Sequence, residues 1–221
     1  MANVFGTPIS SMTDSTIRAI SGCVCADMEI TAADRARAAI YLKAADMKDR
    51  NARTYVDNLK SEWGIGVSTL CLVYNATGNT IAYVGDHNFH GHIGPAPYPA
   101  KIENGQWGAI LHVKTSLALA GSEAAVVYRG STGKGTNCDF MMAWCNPWRR
   151  QAFNNSVWVK TRGVDHFARY SKENWDSLYA KLDVTRYYHS DAWEGCLSTI
   201  STGSATSPVV ETIFTLEGAD A

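Results

Sequence analysis

The chain has 221 residues, with 20 lysines and arginines against 21 aspartates and glutamates, a net charge of −1 at pH 7. So even a balance excludes the long-range attraction that marks nucleic-acid-binding proteins, and the 46% of hydrophobic residues can fill a sizeable core. No run approaches the ~18 apolar residues of a membrane-spanning helix, and the first residues lack the charged and apolar regions of a secretory leader.

These absences predict a cytoplasmic protein whose cysteines, Cys23, Cys25, Cys71, Cys138, Cys145 and Cys196, are mostly free thiols. Residues 1–30 mix Thr, Ser, Gly and Pro without a period and predict an extended arm. Thr31 with Asp34 resembles a capping box, and Ala33, Arg37, Ile40, Tyr41, Ala44 and Met47 recur at helical spacing. Tyr55, Val56, Leu59 and Trp63 form a second face, which Gly64 ends, so residues 31–63 predict a helical region packed on the sandwich domain expected after it.

Residues 64–221 predict that β-sandwich domain. Val67 to Tyr74 and Thr80 to Val84 read as a hairpin about the turn Asn75 to Asn79. Pro95, Pro97 and Pro99 forbid a ladder, and Asn104-Gly105 supplies a tight turn. Trp107 to Val113 and Ala124 to Tyr128 then read as two antiparallel strands. Further strands are expected at Phe140 to Cys145, Ser156 to Arg162, Ser177 to Asp183, Cys196 to Thr199 and Val209 to Leu216. The expected class is mainly β: an antiparallel β-sandwich with an N-terminal helical region (α+β).

Two clusters carry chemistry. Trp144 to Phe153 holds two Trp, a Phe, Arg149 and Arg150 about Pro147, a set suited to stacking on a sugar ring or gripping a phosphate. With Tyr98, Trp107 and Tyr128 it predicts an aromatic rim for a carbohydrate or other small molecule. Asp86, His87, His90 and His92 crowd one segment, but their spacing fits no structural zinc pattern, so no metal and no cofactor are expected. If the chain were an enzyme, His112, His90 and Asp86 would be the acid–base groups, although no nucleophile motif accompanies them. A binding protein is preferred to an enzyme. Nucleic acid is not expected as a partner, insertion of residues 31–63 into a membrane is not favoured, and a homo-oligomer is left open.

Several blocks carry a resemblance: Val4 to Ser10, Tyr55 to Leu59, Cys71 to Gly78, Pro97 to Pro99, Lys101-Ile102, Asn104 to Gly108 and Ala125 to Arg129. Together they resemble the plant 23 kDa jasmonate-induced proteins, which implies a stress or defence role without naming a chemistry. More distantly, Asn75 to Thr80 and Met142 to Trp148 are similar to segments of the sandwich shared by actinoporins and fungal fruit-body lectins. That similarity implies a lipid headgroup or a sugar bound at the Pro-aromatic loop.

Overall fold

The computed structural model describes residues 3–9, 12, 14–21, 29–149 and 152–219. Cys23, Cys25 and Arg150 lie outside them. The N-terminal part holds β1 (Val4–Phe5), α1 (Asp14–Ser21), α2 (Ala32–Tyr41), a short 3₁₀ turn (Ala45–Met47) and α3 (Lys48–Trp63). Next come β2 (Ser68–Ala76), β3 (Ile81–His90), β4 (His92–Ile93), β5 (Lys101–Ile102), β6 (Trp107–Val113), β7 (Ser122–Ser131), β8 (Asn137–Asn146) and β9 (Ser156–Gly163). The chain ends with α4 (Lys172–Val184), β10 (Tyr188–Trp193), β11 (Cys196–Thr202) and β12 (Val209–Leu216).

Among the described residues the strands form two sheets. One has the order β1-β6-β2-β12-β11-β10, with β4 also on β6; the other is β5-β3-β7-β8-β9. All pairs are antiparallel except β2 with β12. Between the sheets pack Val73, Ile110, Val126, Phe140, Trp144 and Phe214. Helices cover both outer surfaces. Ala39, Ala52 and Val56 of α2 and α3 lie on Leu72, Tyr74 and Leu111 of the first sheet, and Leu178 and Leu182 of α4 lie on Ala125, Met141 and Ala143 of the second. Because the central strands are buried on both faces, β2, β6 and β8 read as nearly continuous apolar runs instead of alternating ones.

Local chemistry fixes the ends of the elements. Thr31 and Asp34 close the expected capping box on α2, with the Thr31 N–H donating to Asp34 at 2.9 Å, and Gly64 ends α3 at φ 101°. Gly78 has φ +80°, and a Cβ there would lie 2.1 Å from the carbonyl oxygen of Ala32, so the turn after β2 meets the start of α2 only with glycine.

Four expectations need correction. The stretch Asn75 to Asn79 is a turn but makes no hairpin: it carries the chain from the first sheet to the second. Buried Asn75 donates to the carbonyls of Asn79 and Ile102 at 2.8 and 2.7 Å and accepts from the Thr77 N–H at 3.0 Å. Likewise β6 and β7 belong to opposite sheets and do not pair with each other. Residues 177–183, expected as a strand, lie in helix α4, because Trp175, Leu178, Tyr179 and Leu182 recur at i, i+3, i+4 and i+7 and the Ser171 N–H is held by Asn174 at 3.0 Å. Within the expected arm, Asp14–Ser21 is helical and Val4–Phe5 adds to the edge of β6.

Candidate functional site

Four connections meet at one end of the sandwich: residues 64–67, 114–121, 147–149 with 152–155, and 203–208. Ladder positions bring them together, since Ser68 pairs with Val113 and Ser122 with Asn146. Asn146, buried, ties the end by donating to the carbonyls of Ser68 and Thr206 at 2.9 and 3.1 Å. The Lys114 N–H bonds to the Val67 carbonyl at 3.1 Å, its ammonium donates to Ala118 at 3.1 Å, and the same ammonium stands 4.3 Å from the ring centre of Trp148. Five large apolar side chains are exposed on this end: Ile65, Leu117, Leu119, Trp148 and Phe153.

A cleft of about 290 Å³ opens beside them, walled by Leu119, Trp148, Arg149, Phe153 and Tyr179, with Glu123 at its base. Glu123 is only 3% exposed; its carboxylate accepts from the Tyr179 hydroxyl at 2.6 Å and lies 3.9 Å from His90 Nε2. Burial pushes its pKa above the usual carboxylate value, against the opposing pull of the Tyr179 hydrogen bond and His90, while Asp183 adds to the rise. The cleft therefore offers a buried carboxyl group, an imidazole and a guanidinium under an apolar rim. That arrangement suits the polar end of an amphiphile.

Of the rim residues expected from the sequence, Trp148 and Arg149 meet here. Trp144 does not: it is 0% exposed, packed edge-on to His112 between the sheets, because Trp144 still lies in β8 whereas Pro147 ends the ladder before Trp148. Trp107 is buried on the opposite surface and donates from Nε1 to the Lys43 carbonyl at 3.0 Å. Tyr128 is buried in the core, and Tyr98 stacks on Tyr83 with ring centres 5.1 Å apart, away from the Trp148 cleft. Glu123 and Tyr179 went unnoticed in the sequence. The available signal was a lone carboxylate inside the apolar run of β7.

The three acid–base candidates do not converge. His112 is fully buried, its Nδ1 2.8 Å from Ser122 Oγ and its Nε2 2.8 Å from Asn88 Oδ1, and desolvation depresses its pKa to about 3. His90 lines the Trp148 cleft, whereas Asp86 lines a different one and is held by Tyr83 and Asn88. His87 stacks on Trp175 and His92 Nδ1 contacts the Ile93 carbonyl, so the histidine segment scatters. Among the described residues no group of three metal-ligating side chains converges, no helix is long and apolar enough to cross a membrane, and Cys71, Cys138, Cys145 and Cys196 are free and buried.

Comparison with known proteins adds the lineage. Residues 5–217 match the family described as Nakanori-like protein. The chain belongs to the Nakanori-like family. This Nakanori-like chain is 38% identical to the 23 kDa jasmonate-induced protein of Hordeum vulgare over 96% of its length and 97% of the relative. A jasmonate-induced protein homolog of Atriplex canescens is 28% identical over 64% of the chain and 78% of the relative. Among solved structures, the lipid binding protein Nakanori superposes with a TM-score of 0.81 at 30% identity, covering 96% of this chain and 98% of that one. Likeness to the Xerocomus chrysenteron lectin XCL is remote, with a TM-score of 0.45 at 14% identity over 68% of this chain and 99% of that one. The chain thus shares its family and its fold with a lipid binding protein.

Proposed function

We propose that this protein binds the headgroup of a membrane lipid in the Trp148 cleft, with the surrounding loop tips lying in the lipid–water interface. The observation that carries it is the gathering of Ile65, Leu117, Leu119, Trp148 and Phe153 on one end of the sandwich, next to Lys114 and Arg149. A patch of exposed large apolar residues needs a partner, and tryptophan with lysine and arginine beside aliphatic tips is the composition that settles at a bilayer surface. The likeness to a lipid-binding structure supports the same reading. A soluble glycan, the ligand class favoured by the sequence, accounts for Trp148 but leaves Ile65, Leu117 and Leu119 without a role.

Co-sedimentation with phosphatidylcholine vesicles, with and without phosphatidylserine or a glycolipid, tests the proposal. The Leu117→Ser/Leu119→Ser double variant should partition at least about tenfold less, since each side chain loses on the order of 1.5–3 kcal/mol of apolar transfer if fully inserted. Trp148→Ala should weaken binding as well. Binding to none of these vesicles, or equal binding by the double variant, rejects it; binding abolished by free methyl glycosides would return the site to carbohydrate.

A further inference from the structure

A second cleft, of about 460 Å³, lies further along the same sheet. The ring of Phe89 separates it from the first, 6.2 Å from Trp175 on one side and 5.0 Å from Tyr179 on the other. The register of β3 against β7 slips between Tyr83 and Gly85. That bulge inverts the side-chain parity: Tyr83 packs into the core, His87 and Phe89 contact α4 residues, and Asn88 turns inward to His112. Bulges recur where a strand must aim side chains at a ligand.

The polar groups around this cleft are fixed before any ligand arrives. Arg129 donates from Nε to Asp139 Oδ1 at 2.7 Å, and from Nη2 to Asp139 Oδ2 at 3.1 Å and to Asp165 Oδ1 at 2.6 Å. Nη1 keeps its hydrogens free of protein partners among the described residues. Asp139, itself 1% exposed, also accepts from the Asp165 N–H at 2.8 Å, so the network is anchored from below. The Asp86 carboxylate lies on the other face of β3, held by Tyr83 and by Asn88 Nδ2, the latter at 2.8 Å. His87 lies flat on Trp175, ring centres 4.3 Å apart and planes 2° from parallel, and Tyr170 closes the wall.

We infer that this second cleft binds a neutral polyhydroxylated ligand, a monosaccharide or a short glycan unit, independently of the Trp148 site. Its lining mixes fixed donors, the Arg129 Nη1 hydrogens and one ring nitrogen of His87, with fixed acceptors, the free lone pairs of Asp165 and the other ring nitrogen. A hydroxyl both donates and accepts, so a row of hydroxyls satisfies such a set. A simple anion would face the carboxylates of Asp139 and Asp165, and a simple cation the Arg129 guanidinium. The Trp175, Tyr170 and Phe167 rings supply the apolar wall that the C–H face of a sugar packs against, and the volume lies in the ~300–1,000 Å³ range of small-molecule sites.

The test is saturation-transfer NMR of the intact protein with methyl glycosides of glucose, galactose, mannose and N-acetylglucosamine, with putrescine and inorganic phosphate as cationic and anionic probes. Transfer to at least one glycoside is expected. Asp165→Asn, which exchanges a charged acceptor for an amide, should weaken it about tenfold. Ala168→Trp, at an exposed position on the cleft wall, should abolish it by filling the space. Trp148→Ala should leave it unchanged, which separates this site from the lipid proposal. Absence of transfer to every glycoside, transfer that survives Ala168→Trp, transfer lost in Trp148→Ala, or tighter binding of putrescine or phosphate than of any glycoside each overturns the inference.

Discussion

Acid should unfold this protein through His112. The ring is wholly buried, and its nitrogens face Ser122 Oγ and Asn88 Oδ1, an arrangement a neutral imidazole satisfies by donating from Nε2 and accepting at Nδ1. Desolvation lowers its pKa from 6.5 to about 3. A depressed histidine pKa means the unfolded chain takes up a proton that the folded chain refuses, so stability is intact above pH ~6.5 and falls as the pH drops from there towards 3. Between pH 7 and pH 4 the loss is about 2.5 pH units at 1.36 kcal/mol each, on the order of 3 kcal/mol. Against a total of ~5–15 kcal/mol that is a large share. Urea unfolding at pH 7, 5.5 and 4 measures it, with the midpoint shifting by ~1–3 M for m-values of ~1–3 kcal/mol/M. The His87, His166 and His189 pKa values are also lowered, chiefly by burial, and add to the same window, so the comparison must be with His112→Gln, which keeps an amide between the two partners. The variant should lose ~3 kcal/mol less than wild type between pH 7 and 4. Parallel pH profiles for the two proteins would refute the reasoning.

Glu123→Gln should leave the fold as stable at pH 7 or make it more so. The raised carboxyl pKa means that ionisation costs folding free energy as the pH climbs above 4.5, and an amide still accepts from Tyr179; midpoints equal near pH 4 and higher for the variant at pH 7 would verify this, while vesicle binding should fall. Trp144→Ala should cost ~3–5 kcal/mol by opening a core cavity, whereas Trp148→Ala should cost well under ~1 kcal/mol, as thermal and urea unfolding of the pair will reveal. Gly78→Ala should destabilise by at least the ~1–3 kcal/mol of a residue forced into left-handed backbone, because its Cβ also meets the Ala32 carbonyl. An unchanged melting temperature would argue against that packing.

Legibility in the sequence followed how local each signal was. Trp107–Val113 and Val209–Leu216 are strands to the residue, because turn-forming Asn104-Gly105 and Pro208 bound them. Helix α2 starts at its capping box for the same reason. Partner choice is a different matter. Nothing within Asn75 to Asn79 says whether the next strand pairs with the last or crosses to the other layer; that depends on Ile102 and Asn104, more than twenty residues on, which bond to Asn75 and Gly78. Trp144 and Trp148 have the same parity and would both point inward on one continuous strand. Only Pro147 separates a core residue from a rim residue. At α4 the period of 3.6 was present in Trp175, Leu178, Tyr179 and Leu182, but Ser177 to Asp183 taken alone passes for a short strand. The second cleft was invisible, since Asp86, Arg129, Asp139 and Asp165 come from four separate segments.

The two sheets also meet at a seam. Strand β9 ends one sheet and β10 the other, and instead of a ladder, side chains join them: His189 Nδ1 accepts from the Val159 N–H at 3.3 Å and Asp191 Oδ2 from the Thr161 N–H at 2.8 Å. Burial lowers the His189 pKa, so the folded protein keeps that acceptor neutral, and Arg162 Nη1, 2.9 Å from Asp191 Oδ2, holds the second in place. Without these side chains the amide hydrogens of Val159 and Thr161 would stand bare along β9, and a bare row of that kind recruits strands from neighbouring molecules. The two side chains that finish the fold at this seam thus also guard its edge against self-association.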